Sequence, residues 1–228
     1  MTRTDITLAG LSVRLDPAGA AFLPDFGTLI VSDLHLEKAS AFAARGQPLP
    51  PYDTEDTLAR LEAVIEAHAP ARLVSLGDSF HDGEAGARMA PSHLRRLRAL
   101  TDRLATVWIT GNHDPVPPAS GGEVRAELPL GPLVLRHEPR PGALGEIAGH
   151  FHPCASLTLR GRRLRRKCFA TDGSRLILPA FGAFTGGLDL GAPALATLFG
   201  PGLEAFLLGA GTLYRFPAGA LDPSRLKA

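Results

Sequence analysis

Five short segments of the chain carry carboxylates, an amide and five of its eight histidines. They are Asp33-x-His35, Gly77-Asp78, Gly111-Asn112-His113-Asp114, His137 and Gly149-His150-x-His152. Carboxylates, imidazoles and an amide oxygen suit borderline divalent ions such as manganese, iron and zinc. Two such ions ~3.5–4 Å apart can share a bridging carboxylate and a bridging hydroxide. No cysteine lies in these segments, which argues against a structural zinc site.

The order of these segments is more informative than any one of them. An Asp-x-His or Gly-x-His spacing is common in turns and on surfaces, and a lone His137 would by default be a surface residue. Here the motifs follow one another along the chain, each after a short apolar run. The combination predicts a metal-dependent active site.

The elements that must position these residues change character along the chain. Apolar runs at residues 28–32, 72–76 and 106–110 predict strands, and a helix is predicted at 53–68, capped by Asp53. Ser92 can cap a second helix, whose apolar face contains Leu94, Leu97, Leu100 and Leu104. Alternating strands and helices imply a parallel sheet, and the carboxyl ends of its strands meet at one edge.

The flanking segments are predicted to be mostly strand. Residues 11–15 and 21–26 predict a hairpin, and residues 133–135, 146–149, 157–159, 175–178 and 203–214 predict further strands. The strand-rich half should supply a second sheet packed on the first. The glycine-rich segment 181–187 lacks the lysine of a nucleotide-binding P-loop, so we expect a loop that closes the wall of the site.

Composition sets the broader expectations. The 228 residues, 45% hydrophobic and 21% charged, are typical of one globular domain spanning residues 1–228. Two cysteines, no leader-like segment and no apolar run of the ~18 residues that span a membrane predict a cytoplasmic protein. The formal net charge of +1 means that any contact with nucleic acid requires a local basic patch.

One such patch is the run from residue 160 to residue 167, which holds six positive charges in eight residues. A hairpin with its turn at Gly161 could place Arg162, Arg163, Arg165 and Arg166 against a phosphate backbone. The alternative is a solvated hairpin whose charges protect a sheet edge. The sequence leaves both interpretations open.

The five segments, over residues 28–153, resemble those of the calcineurin-like metallophosphoesterases. Four spellings are similar to one bacterial branch, the ligase-associated DNA-damage-response metallophosphoesterases: SDLHLEK at 32–38, GDSFHD at 77–82, HEP at 137–139 and GHFHP at 149–153. The resemblance implies a four-layer αββα sandwich, of mixed α/β class, that hydrolyses phosphodiesters, with DNA as the expected substrate. It also implies association with a DNA ligase, a helicase and an exonuclease-like protein.

The resemblance also implies a role for each residue. Asp33, His35, Asp78 and His152 would hold one ion, and Asp78 would bridge to a second ion held by Asn112, His137 and His150. Manganese is the expected metal, with iron or zinc as alternatives. A bridging hydroxide would attack phosphorus in line, His113 would protonate the leaving oxygen, and Asp114 would orient the His113 imidazole.

Two alternatives and one departure from the family pattern accompany this interpretation. The first alternative is a phosphodiesterase or phosphatase for small nucleotides, including cyclic ones. The second is a scaffold that has lost the chemistry, which is disfavoured because every expected ligand type is present. Many family members carry an Asp-Arg pair shortly after the Gly-Asp motif, and this chain has His81-Asp82 there. His81 could contact substrate or support the loop.

Overall fold

The computed structural model describes residues 3–116 and 121–220, and within them sixteen strands and five α-helices. The helices are α1 (Lys38–Ala44), α2 (Asp53–His68), α3 (Ala85–Arg88), α4 (Pro91–Arg103) and α5 (Pro193–Ala196). The strands are β1 (Thr4–Leu8), β2 (Leu11–Leu15), β3 (Ala21–Leu23), β4 (Thr28–Val31), β5 (Arg72–Leu76), β6 (Ala105–Ile109), β7 (Glu123–Arg125), β8 (Glu127–Leu130), β9 (Leu133–Arg136), β10 (Glu146–Ala148), β11 (Pro153–Leu159), β12 (Arg162–Thr171), β13 (Arg175–Ile177), β14 (Leu188–Asp189), β15 (Glu204–Leu208) and β16 (Leu213–Pro217).

The first sheet has the strand order β1-β2-β3-β4-β5-β6-β7. Strands β1 to β4 pair antiparallel, whereas β4 to β7 pair parallel. The predicted strands at 28–32, 72–76 and 106–110 are confirmed as β4, β5 and β6. The predicted hairpin strand at 21–26 ends at Leu23, because Pro24 begins a 3-10 turn that closes at Gly27 with φ of 53°.

The second sheet has the order β14-β11-β12-β13-β10-β9-β8, with β15 on β12 and β16 on β15. The ten-residue β12 holds this sheet together: its first part pairs with β11 and its last residues pair with β13 and β15. The single strand predicted at 203–214 is wrong. It is the β15–β16 hairpin, whose turn is closed by the Gly209 N–H donating to the Thr212 carbonyl.

Three apolar layers separate the elements, and they confirm the predicted four-layer αββα arrangement. The central core lies between the sheets and includes Ile30, Val74, Phe169 and Phe206. A second core joins the outer face of the first sheet to α2 and α4, around Trp108. A third packs the short α5, through Leu195, on the outer face of the second sheet. None of the helices in the described ranges has the length and apolar character to cross a membrane.

Helix starts differ from the predicted caps. The N-cap residue of α2 is Tyr52, and the Asp53 carboxylate instead accepts the N–H of Ala39, 2.9 Å away. Helix α4 begins at Pro91, one residue before the predicted cap Ser92. Both caps were predicted from local sequence alone. The contact between Asp53 and α1 shows that a tertiary partner can take the carboxylate that a local cap would use.

Candidate active site

Strand register brings the five segments to one place. In the first sheet Val31 pairs with Ser75 and Leu76 pairs with Ile109, so β4, β5 and β6 end at the same edge. In the second sheet β9 and β10 run parallel, and Arg136 pairs with Ala148. Asp33, Asp78 and Asn112 therefore follow the first set of strand ends, and His137 and His150 follow the second. The site lies where the carboxyl ends of the two sheets meet, as expected for parallel strands.

Backbone strain is concentrated at the predicted ligands. Nine non-glycine residues in the described chain have positive φ. Five of them are Asp33 (54°), His35 (45°), Asp78 (46°), His150 (68°) and His152 (47°). Such conformations are uncommon for residues with a Cβ, and they persist where the surrounding structure fixes them, often at functional sites. The loops are therefore held in place to aim these side chains.

The first ligand group consists of Asp33, His35 and His152. Asp33 Oδ1 and His152 Nε2 lie 3.0 Å apart, yet both atoms are buried without a hydrogen-bond partner of suitable geometry. A separation of about 3 Å is what two metal–ligand bonds of ~2.1 Å at right angles produce. Two unbonded electron-pair donors at this separation fit an ion held between them, so these residues suit the predicted metal.

The second group consists of Asn112, His137 and His150. Asn112 Oδ1, His137 Nε2 and His150 Nδ1 lie 3.0–3.1 Å from one another. His137 Nδ1 is 2.8 Å from the Leu76 carbonyl, which can only accept, so this nitrogen carries the proton and Nε2 is left with its lone pair. Three potential ligand atoms thus surround a common point, which fits a second ion.

Asp78 lies between the two groups. Its Oδ2 is 3.6 Å from His137 Nε2 and 3.9 Å from His35 Nε2, and its Oδ1 accepts the backbone N–H of His113 at 2.9 Å. Asp78 therefore lies near ligand nitrogens of both groups, as the predicted bridging role requires.

Charge and burial set the protonation states of these ligands. Burial opposes ionisation of Asp33, but His152, His137 and the Ser32 hydroxyl outweigh it and hold the pKa of Asp33 below its ordinary value. Burial lowers the pKa of His35 to about 3, partly offset by the charge of Asp33. Burial and the neighbouring His137 also lower the pKa of His150. An ionised carboxylate and neutral imidazoles are the forms that bind metal.

His113 and Asp114 are close to the site but do not contact each other as predicted. His113 Nδ1 is 3.0 Å from the carbonyl oxygen of His81, so Nδ1 donates and Nε2 is left to face outward. Among the described residues, the hydrogen bonds of the Asp114 carboxylate are with the backbone N–H groups of Ser79, Phe80 and Gly111. The predicted orienting role thus belongs to the His81 carbonyl, and Asp114 ties two ligand-bearing loops together.

The pKa of Asp114 reflects this buried position. Burial raises it to about 6, the backbone N–H donors lower it in part, and the charge of Asp78 raises it further.

His81 is a site residue that sequence analysis left undecided. Its ring stacks on that of His113, with centroids 5.2 Å apart and an interplanar angle of 24°. His35, His81 and His113 form a group whose ligand atoms lie within 4.8 Å of one another. His81 therefore supports His113 through both its ring and its carbonyl.

Sequence analysis did not predict a role for Lys38 or Lys167. The ammonium group of Lys167 donates to the Ala180 carbonyl at 2.9 Å and the Gly182 carbonyl at 2.8 Å, and the Gly182 N–H in turn donates to the Asp33 carbonyl. The predicted loop at 181–187 is thus fixed to the ligand-bearing segment. A usable signal was present, because the chain has only three lysines. The third, Lys227, lies outside the described residues.

The four predicted DNA-contacting arginines do not share one face of β12. Side chains alternate along a strand, so Arg163 and Arg165 lie on the face of Lys167, whereas Arg162 and Arg166 lie on the opposite face. Arg165 donates to the carbonyl of Gly187, next to the His152 backbone. We call Arg163 and Arg165 the loop-facing pair and Arg162 and Arg166 the outer pair. Arg165 thus contacts the glycine-rich loop beside the site, and Arg163 shares the face of Arg165.

Close packing beneath the ligands gives a first prediction. A Cβ at Gly111 would collide with the backbone N and Oδ1 of Asp78, neither of which can move without disturbing the site. Gly111→Ala should therefore lower the free energy of unfolding by roughly 1–3 kcal/mol and weaken metal retention. Gly83→Ala is the control, because no atom lies within 4 Å of its added Cβ. Denaturant unfolding measures the stability of both variants. Equal stability would show that the loops around Gly111 can accommodate the added methyl group.

Comparison with known proteins places this site in a family. A model of the calcineurin-like phosphoesterases matches residues 27–162. The crystal structure of the Pseudomonas putida nuclease MPE is 34% identical with a TM-score of 0.72, and the match covers 94% of this chain and 100% of that one. The Escherichia coli phosphoesterase YfcE matches at 14% identity and a TM-score of 0.40, over 83% of this chain and 97% of its own.

A search of curated proteins gives no significant match. The family match covers more than half of the 228 residues and includes Asp33, Asp78, Asn112, His137 and His152 among the candidate ligands. The chain therefore belongs to the calcineurin-like phosphoesterase family and is a metal-dependent phosphoesterase.

Proposed function

We propose that the protein is a two-metal phosphodiesterase that cleaves DNA. The observation that carries this proposal is the convergence of seven predicted ligand side chains in a chain that aligns over 94% of its length with a nuclease. When bound, two divalent ions would neutralise charge on the phosphoryl oxygens and activate a water nucleophile. The seven predicted ligands are Asp33, His35, Asp78, Asn112, His137, His150 and His152.

The residues of the chain supply the rest of the chemistry. Because His113 Nδ1 donates to the His81 carbonyl, the ring presents Nε2 to the substrate. A protonated Nε2 at this position can donate to the leaving oxygen as the ester bond breaks. Asp114 keeps the loops of Asp78 and Asn112 together through its three backbone contacts.

Manganese is the metal we propose, because the ligand set mixes imidazoles with oxygen ligands, whereas magnesium prefers oxygen ligands and retained waters. Exhaustive chelation should abolish hydrolysis of a chromogenic phosphodiester, and manganese should restore it better than magnesium. Elemental analysis of each preparation is the control. Full activity in protein shown to be free of metal would contradict the two-metal proposal.

The loop-facing pair provides the test for DNA. Arg163→Gln/Arg165→Gln should weaken DNA binding and reduce its salt slope by about 0.7–0.9 for each phosphate that the variant no longer binds, since fewer counterions are released. Arg162→Gln/Arg166→Gln removes the same charge from the opposite face and should leave the slope almost unchanged. Binding of labelled DNA at several salt concentrations measures both.

The small-nucleotide alternative predicts a different result. In that case DNA would bind weakly to the wild type, neither pair would change the salt slope, and cyclic or mononucleotide diesters would be the better substrates. Comparing single-stranded DNA, double-stranded DNA and cyclic nucleotides on the metal-reconstituted protein separates the two functions.

Three further proposals concern the partners, the compartment and the domain organisation. The resemblance alone supports joint action in DNA repair with a DNA ligase, a helicase and an exonuclease-like protein. The two cysteines, Cys154 and Cys168, are both free and buried, which supports a reducing compartment such as the cytoplasm. The apolar core shared by the two sheets supports a single domain across residues 1–228.

A further inference from the structure

One face of α1 borders the site without contributing a ligand. Lys38, Phe42 and Arg45 are spaced i, i+4 and i+7, so they lie on the same side of this helix and its C-terminal cap. Ala39 and Ala41 are buried and anchor the helix to the protein. The face with the two cations is therefore held in a fixed position.

Both cations on this face lack an ion-pair partner. Within residues 3–116 and 121–220, no carboxylate forms an ion pair with Lys38 or Arg45, and the Lys38 ammonium instead faces the Phe42 ring, 5.9 Å from its centroid. The neighbouring Arg88 is different, because it donates to Asp82 at 2.6 Å.

The half-buried position of Lys38 makes its lack of a close acceptor costly. Burial lowers the pKa of Lys38, and the charge of Asp53 offsets this effect only in part. A partly desolvated ammonium is therefore better satisfied when a ligand supplies an anionic acceptor.

The unpaired charges lie on the His113 side of the site. Phe42, which shares this face with Lys38 and Arg45, marks the position of the face relative to the site. The Phe42 ring lies 5.8 Å from the His81 ring, which stacks on His113. The face of α1 therefore continues from the residue proposed to protonate the leaving oxygen.

We propose that Lys38 and Arg45 form a subsite for the phosphate adjacent to the scissile phosphate, on the side of the leaving oxygen. Lysine provides a point charge and arginine a planar fork, and both bind phosphate oxygens through charge-assisted hydrogen bonds. The subsite rests on the proposed phosphodiesterase function, because it defines which neighbouring group the substrate must carry. Many family members have an Asp-Arg pair where this chain has His81-Asp82, and Asp82 is already paired with Arg88. Lys38 and Arg45 would supply the positive charge beside this loop.

Binding of two small nucleotides to the manganese-loaded protein tests the subsite apart from catalysis. Thymidine 3′,5′-bisphosphate carries a second phosphate that thymidine 5′-monophosphate lacks. In titration calorimetry the second phosphate should tighten binding to the wild type about tenfold, a change of about 1.4 kcal/mol. Lys38→Gln/Arg45→Gln should reduce this gain in affinity to less than about threefold.

Two further variants make the result specific. Lys38→Arg/Arg45→Lys keeps both charges and should keep most of the gain. Arg98→Gln/Arg103→Gln removes two exposed charges from α4 and should keep all of the gain. The C-terminal end of α4 leads to the amino end of β6, whereas the site lies at the carboxyl end of that strand. Should the double variant at the subsite fail to fold, Arg45→Gln alone, at an exposed position, should still lower the gain measurably.

The outcomes separate this inference from the proposed function. An equal gain in wild type and Lys38→Gln/Arg45→Gln, or no gain in wild type, overturns the subsite even if DNA is cleaved. A gain that disappears in that variant supports the subsite even if DNA proves to be a poor substrate, and the proposed DNA cleavage then fails alone.

Discussion

Replacing Asp78 with asparagine should remove metal from both halves of the site and abolish most activity. Asp78 Oδ2 lies within 4 Å of ligand nitrogens from both groups, 3.6 Å from His137 and 3.9 Å from His35. Losing a partner that only supports a ligand typically costs 10–100-fold, so losing the shared ligand should cost at least about 100-fold in turnover. Elemental analysis should find fewer than one ion per chain in this variant and two in the wild type.

Asp82→Asn is the matched control for this experiment. Asp82 follows His81 in the same loop as Asp78, and its carboxylate is paired with Arg88 at 2.6 Å. Its replacement removes the same charge without touching a ligand group, so metal content should stay at two ions per chain. If Asp78→Asn also retained two ions and near-normal turnover, the bridging carboxylate would have to be another residue.

The location of the site was predictable because it depends on strand ends. The predicted runs at 28–32, 72–76 and 106–110 match β4, β5 and β6 to within a residue or two, and parallel pairing carries Asp33, Asp78 and Asn112 to one edge. Which residue follows a strand can be read from the sequence. The register of β9 with β10, which brings in His137 and His150, could only be inferred from the family resemblance.

The partners of individual side chains were less predictable. Asp114 was expected to orient His113, but its carboxylate accepts three backbone N–H groups from the loops at 79–80 and 111. Asp53 likewise bonds to α1 in place of its own helix. A carboxylate accepts hydrogen bonds from the donors that the folded chain brings nearest. The spacing of two residues in the sequence does not determine which donors these are.

Helix α1 and strand β12 show two other limits of prediction from the sequence. The segment of α1 is seven residues of mainly small side chains, without the apolar periodicity that predicts a helix, so the face with Lys38 and Arg45 was missed. The basic run at 160–167 was recognised as one cluster, yet β12 alternates its side chains and divides the cluster into the loop-facing and outer pairs. Only the position of the strand reveals which pair shares the face that contacts the glycine-rich loop.

His113→Ala should keep both metals and lose roughly 10²–10⁴-fold in turnover on a substrate with a poor leaving group. The side chain of His113 is joined to the His81 carbonyl and stacks on the His81 ring, whereas its contact with Asp78 is made by the backbone N–H. The backbone contact survives the substitution, so the bridging carboxylate should stay in place. Single-turnover rates on DNA, together with elemental analysis, provide the measurement.

The leaving group distinguishes proton donation from phosphate positioning. A diester that releases nitrophenolate needs no proton, so His113→Ala should lose far less on that substrate than on DNA. His93→Ala is the control, because His93 is paired with Glu55 at 3.1 Å and has no contact with the ligand groups among the described residues. Equal losses on both substrates would mean that His113 holds the phosphate in place. The proton for the leaving oxygen would then have to come from another donor, such as the His81 ring that stacks on His113.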